Sequence, residues 1–398
     1  MSKEEAQKEY AFKSLFEPID PNQDYFYYPE AMCTPDLTAN PENDLPTCEV
    51  ALDEPTLLLS RDGGTDLYHL NVDYKKLASF LESLVPLFDG LTLLHRGGVV
   101  HLDIKPLNVV SKINANGTFT TRYIDLGLSK TVERAIVDPP SQTYAYWPFD
   151  VRLLNPEYLS GRIRPSNSAI ERYYKGAAYN NPIFPVWLYC LSSGLPITES
   201  WAELLLGKIR SRSIAKERIV TGVDVFSLGR TLAEVYTSLT HHYFVEDKKA
   251  GVKKGMVKVD LPAPLTTDDE RNFNTELAQR VTLPIYDLVA AMINPNPDKR
   301  ITAEEAAVIY KGLLPVVREV LDKWHGPPPA AVAARPRRLA PLLPGAAAAA
   351  AVAAAAHPHR PAPPPPVGPP IVKLPFPALP PSSSPYVIDI QASPYGTI

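Results

Sequence analysis

Between residues 101 and 127 the chain reads loop, strand, turn, strand, loop. His101-Leu102-Asp103-Ile104-Lys105-Pro106-Leu107-Asn108 sets a carboxylate, an ammonium and an amide at spacings of two and then three, and the apolar pair Val109-Val110 follows at once. Asn116-Gly117 is a turn signal, and Tyr123-Ile124-Asp125-Leu126-Gly127 then brings a second carboxylate. Such a pattern predicts a hairpin whose two ends carry the polar groups. That hairpin would hold Asp103, Lys105, Asn108 and Asp125 around one point. The plainer reading of the stretch alone is a surface loop with scattered polar residues.

Those residue types suit phosphoryl transfer. An aspartate can orient an attacking hydroxyl and accept its proton, and a lysine can neutralise charge building on phosphoryl oxygens. An amide oxygen and a second carboxylate are hard oxygen ligands, suited to Mg²⁺ held on phosphates.

Three further patterns lie downstream: Thr143-Tyr144-Ala145-Tyr146-Trp147-Pro148-Phe149-Asp150, Asp224-Val225-Phe226-Ser227-Leu228-Gly229, and Asn294-Pro295-Asn296-Pro297-Asp298-Lys299-Arg300-Ile301-Thr302. In order with the first two, these resemble five motifs of the protein kinase family: H-R-D-L-K-x-x-N, D-F-G, T-x-x-Y-x-A-P-E, D-x-W-S-L-G and n-P-x-x-R-i-T. The resemblance covers roughly residues 5 to 322. It is soft over 151–223, a long insertion relative to the family, and over 237–273, where no motif aligns.

The resemblance implies an α+β, protein-kinase-like fold with a mainly helical large lobe and an incomplete β-containing small lobe. Residues 1–60 would be the remnant small lobe, with helix C and strands 4 and 5. Residues 61–325 would be the large lobe with its insertion at about 151–223. Asp103 would be the general base, and Lys105 would contact the transferred phosphoryl group. Asn108 and Asp125 would hold Mg²⁺ and, with Lys105, ATP. Thr143 would bridge base and lysine. Lys105 and Thr143 point to Ser/Thr rather than Tyr substrates. Asp224 would accept backbone N–H bonds from the loop at His101, Arg300 would pair with Asp150, and Thr302 with Glu305 would form a capping box.

The sequence also departs from the family. Phe149 and Asp150 stand where the family has Pro and Glu, though Asp can still pair with a guanidinium. Leu102 replaces the arginine that binds an activation-segment phosphate, which argues against control by loop phosphorylation. Glu9 is the candidate for the helix-C glutamate; the plain alternative is a solvated helix charge. The family's Gly-rich loop and strand-3 lysine have no counterpart in this chain. The implied activity is Ser/Thr protein kinase, with a pseudokinase scaffold or binding protein as the alternative. The insertion and short front end are also weakly similar to kinases of large DNA viruses.

Charge and cysteine usage bound the partners. The net charge is −4, and from Pro327 onward five basic residues face one acidic, so the tail carries +4 and the rest −8. That argues against a folded domain built for nucleic acid. Cys33, Cys48 and Cys190 lack metal-ligand spacing and read as reduced thiols. Met1-Ser2-Lys3-Glu4-Glu5 is too polar for a signal peptide, and the apolar run Ala346 to Ala356 is too short to span a bilayer. A cytoplasmic protein (host-cell cytoplasm if viral) with a protein substrate and no membrane partner is expected.

Local patterns fill in the rest. Residues 3 to 16 predict a helix with Tyr10, Phe12, Leu15 and Phe16 partly inside, stopped by Pro18 and Pro21. Asp24 to Tyr28 reads as a strand, Thr34 to Pro55 as a loop, and Thr56 to Ser60 as a short buried strand. Tyr74 to Leu94 predicts one long amphipathic helix, with Leu77, Phe80, Leu81, Leu84, Phe88, Leu91 and Leu94 inward and a kink at Pro86. Arg172, Tyr173, Tyr174 and Lys175 in the insertion suggest a docking surface, against the plainer reading of an elaboration packed on the large lobe. Residues 326–398 are Pro- and Ala-rich and predict disorder. Pro363 to Pro366 there offers a docking segment for an aromatic-lined groove.

Overall fold

The hairpin forms where its turn signal places it. In a computed structural model, which describes residues 3–33, 56–140, 144–170, 173, 198–244, 258–260 and 276–323, Val109–Ile113 pairs antiparallel with Phe119–Tyr123. Gly117 stands at φ +82°, a left-handed conformation that glycine adopts without steric cost. Its N–H donates to Asn114 O at 2.9 Å, and the Asn114 N–H donates to Thr118 O at 2.8 Å. Thr34 to Pro55, Thr143, Arg172, Tyr174, Lys175 and the tail from Gly326 lie outside the described residues.

Neighbours join the hairpin on both sides. Thr65–Asp66 pairs antiparallel with Val110 and Ser111. On the other side Asp24 to Tyr28, expected as a strand, makes a single bridge from Phe26 to Tyr123. The Asp20 carboxylate explains the brevity. It accepts the N–H groups of Asp24, Tyr25 and Phe26 at 2.8–2.9 Å, so the Tyr25 N–H that a longer ladder to the hairpin would need is taken by a side chain.

The stretch from Tyr74 to Leu94 is not one kinked helix. A 3₁₀ turn, Tyr74–Lys76, leads into helix Leu77–Glu82, and a second helix runs Val85–Arg96. Pro86 sits in the first turn of the second helix, where its missing N–H costs nothing. All seven expected apolar side chains are buried. Leu77–Arg96 is also long and apolar enough to cross a membrane, by length and composition, and more than half of it is buried in the protein. The break at Ser83 carries a buried hydroxyl chain. Ser83 Oγ lies 2.7 Å from Thr121 Oγ1, which lies 3.0 Å from Ser111 Oγ.

Two apolar clusters support the loop before the hairpin. The larger packs Leu77–Arg96, Leu283–Met292 and Ala303–Lys323 against part of Lys216–Phe244 and the hairpin base. The smaller joins Val100, Leu102, Trp147 and Phe149 to helix Glu199–Arg210 and to Ile219, Val220 and Val223. Those last three lie on the Asp224 helix ahead of its motif, and the helix starts at Lys216, about two turns before Asp224. Tyr173 is buried, its ring edge-on to Phe149 at 5.5 Å, and so cannot serve an exposed docking patch. In the region without a motif, Lys258–Asp260 pairs parallel with Asn71–Asp73.

The front segment is thinner. Lys3–Ala11 buries only Ala6, and Lys13–Phe16 buries Phe16. Ala31–Cys33 pairs with Leu57–Leu59. That second strand was expected to be buried, but Leu57 is 37% and Leu59 52% exposed. Two strands of three residues bury little on either face.

Candidate active site

The site is built from below by Asp224. Its two oxygens accept the N–H groups of His101 and Leu102, each at 2.8 Å, and His95 Nε2 lies 3.1 Å away. Leu102 stands at φ +65°, which is uncommon for a non-glycine residue. Both of its backbone polar groups are held: the N–H by Asp224, and the carbonyl by Trp147 Nε1 at 2.7 Å. The Leu102 side chain lies in the smaller apolar cluster, an environment that suits leucine.

An ion pair supports the segment after the site. Arg300 donates to Asp150 through Nη2 at 2.8 Å and Nη1 at 3.2 Å, with both side chains at most 1% exposed. Burial pushes the Asp150 carboxyl up and the guanidinium opposes it; we regard the bidentate pair as ionised. A Cβ on Gly222 would lie 2.7 Å from Arg300 Nη1, so the helix needs glycine there for the guanidinium to pass. Thr302 and Glu305 make the expected capping box, each accepting the other's N–H at 3.1 and 2.7 Å.

Above the loop, the hairpin ends bring Asp103, Lys105, Asn108 and Asp125 together. Asp103 Oδ2 accepts Lys105 Nζ at 2.9 Å and Asn108 Nδ2 at 2.8 Å. The same amide nitrogen reaches Asp125 Oδ2 at 3.2 Å and the Asp103 carbonyl at 2.9 Å. Asp125 is exposed and stands at φ +59°. The Asn108 amide oxygen and Asp125 Oδ1 have no protein donor among the described residues. These two hard oxygens are of the kind that holds a Mg²⁺ ion taking one or two protein ligands plus phosphate oxygens. No group of three or more His, Cys, Asp or Glu side chains converges as a metal cage among the described residues.

Tyr144 was not foreseen at the site. Its Oη donates to Asp103 Oδ1 at 2.8 Å. Burial first, then the charge of Asp103, pushes its phenol well above the ordinary range. The only sequence cue was its place beside Thr143 in an aromatic run. Glu9 lies near enough for the charge of Asp125 to act on it, and no cation pairs with it among the described residues. Burial first, then the charge of Asp125, raises its carboxyl. His101 is fully buried, and burial pulls it down against the opposing charges of Asp224 and Asp103. Its Nδ1 lies 3.3 Å from the Asp103 N–H, which suits a neutral ring accepting that bond.

No protein-family model and no curated protein matches the chain. Among solved structures, the chain is similar to one titled as the crystal structure of Rad53 kinase domain and SCD2. The TM-score is 0.34 and the identity 13%, over 77% of each chain. At that distance the likeness assigns neither a fold, a family nor an activity.

Proposed function

We propose that this chain is a Ser/Thr protein kinase, transferring the γ-phosphoryl group of ATP to a protein hydroxyl. The observation that carries the reading is the convergence of Asp103, Lys105, Asn108 and Asp125 on one patch above a loop pinned by Asp224. Asp103 would orient the acceptor hydroxyl and take its proton. Lys105, 2.9 Å from Asp103, would place its charge beside the transferred group. Asn108 and Asp125 would hold Mg²⁺, which when bound neutralises phosphate charge. Asp224 and Trp147 position the loop without touching substrate.

One observation favours the alternative, a kinase-fold scaffold without transfer. The charge of Asp125 opposes that of Glu9, and no cation pairs with Glu9 among the described residues, so the contact to Asp103 comes from Lys105 alone among the described cations. Electrostatic positioning is most of phosphoryl-transfer catalysis, and we expect weak Mg²⁺-dependent ATP binding with slow turnover.

Calorimetry with ATP, with and without Mg²⁺, tests binding. Radiolabel transfer from γ-labelled ATP to Ser, Thr and Tyr peptides tests chemistry. Transfer confined to Ser and Thr peptides and lost in Asp103→Asn supports the kinase. Transfer that survives Asp103→Asn removes Asp103 from the role of base, and Mg²⁺-dependent binding without transfer leaves the scaffold.

A further inference from the structure

Asp103 has two oxygens, and they are used differently. Oδ2 carries both Lys105 and Asn108. Oδ1 carries a single hydrogen bond, from Tyr144 Oη at 2.8 Å. That distance lies within the reach a general base needs for the proton it abstracts. A hydroxyl therefore already stands where an acceptor hydroxyl would have to bind.

The Tyr144 main chain is tied in place. Its carbonyl accepts the Trp147 N–H at 3.1 Å. Tyr173 Oη gives its single proton to the Trp147 carbonyl at 2.6 Å, with the Tyr144 carbonyl 3.3 Å away, and Trp147 Nε1 reaches Leu102 O. The Tyr144 ring packs edge-on to Trp147 at 5.0 Å, and the residue is half-buried. Its hydroxyl can leave Asp103 by side-chain rotation while these backbone ties hold. Tyr146 differs, because its Oη donates to buried Glu234 at 2.7 Å and its ring faces the Arg230 guanidinium at 5.2 Å.

We infer that Tyr144 is an internal stand-in for the acceptor hydroxyl, and that a protein substrate reaches Asp103 only by displacing it. This rests on the phosphoryl-transfer reading above. The phenol suits a blocker better than a self-acceptor. Burial, then Asp103 and Asp125, push its ionisation up, with Arg230 opposing, so it stays a neutral donor and a weak nucleophile.

Two measurements on the full chain test this. In the first, Tyr144→Phe is assayed for transfer from ATP to a Ser peptide. Removing the phenol should raise kcat/KM for the peptide about tenfold or more, the worth of a hydrogen bond to a charged group, with the KM for ATP unchanged. In the second, 3-fluorotyrosine at position 144 is followed by fluorine NMR against pH. Asp103→Asn should move its ionisation to lower pH, and this readout needs no transfer. An unmoved ionisation overturns the contact, whatever the activity. A fall in transfer with Tyr144→Phe, or phosphate appearing on Tyr144 itself, overturns the stand-in role. A moved ionisation with no transfer by any variant sinks the kinase reading, and the stand-in with it, while leaving the contact intact.

Discussion

The loop at His101 to Asn108 has two faces, and aspartates on them meet different fates. Below, Asp224 gives its oxygens to backbone N–H groups and is fully buried. Above, Asp103 gives its oxygens to the side chains of Lys105, Asn108 and Tyr144. Backbone donors cannot swing away without unmaking the loop, whereas side-chain donors can be exchanged for a ligand at the cost of a rotamer. The lower face therefore sets shape and the upper face is free to do chemistry. Asp150, buried against Arg300, belongs with the lower group.

The sharpest way to break this contrast is Asp103→Asn. Transfer should fall about a thousandfold, within the range for loss of a general base, while ATP binding and the denaturant midpoint stay near the parent's. A large fall in midpoint would move Asp103 to the structural group. Arg300→Ala should behave in the opposite way. It leaves the Asp150 charge buried without its partner, which costs about 3–5 kcal/mol, read as a lower midpoint in guanidinium unfolding. An unchanged midpoint would mean that the pair does not hold the segment after the site.

Asp224→Asn should come next, at about 2 kcal/mol, since an amide replaces charge-assisted acceptance of two N–H groups. Transfer should fall as well, because Leu102 loses what holds its left-handed backbone; loss of transfer at full stability would contradict that account. The smallest effect is expected at Glu9, on the thin front segment. Its raised carboxyl keeps a proton in the folded chain at pH values where the unfolded chain has lost it. Stability should therefore fall as pH rises from the ordinary glutamate range through the raised folded value. Glu9→Gln should flatten that slope and slightly raise the midpoint at neutral pH. A lower midpoint would show that the Glu9 charge is compensated after all.

Short-range patterns carried most of the architecture. Asn116-Gly117 marked the hairpin, seven apolar residues at helical spacing marked the inward face of Leu77–Arg96, and Thr302 with Glu305 marked a helix start. Turn chemistry, helical period and capping act over a few residues, so they can be read without the fold. The long-range pairs Asp224 with the His101 loop and Asp150 with Arg300 became legible only through the resemblance to a family in which such pairs recur.

The sequence by itself determined which polar residues would meet, because a tight hairpin leaves Asp103, Lys105, Asn108 and Asp125 little choice of neighbours. Tertiary structure alone decided what surrounds them. Tyr144 lies 41 positions from the carboxylate it touches, and Glu9 lies far from Asp125 in the chain, so no local period links either pair. The same holds for the break at Ser83, where hydroxyls from three segments meet, and for the exposure of Leu57 and Leu59. Each depends on how separate elements pack and which rotamers that packing leaves open, and neither is encoded in the order of neighbouring residues.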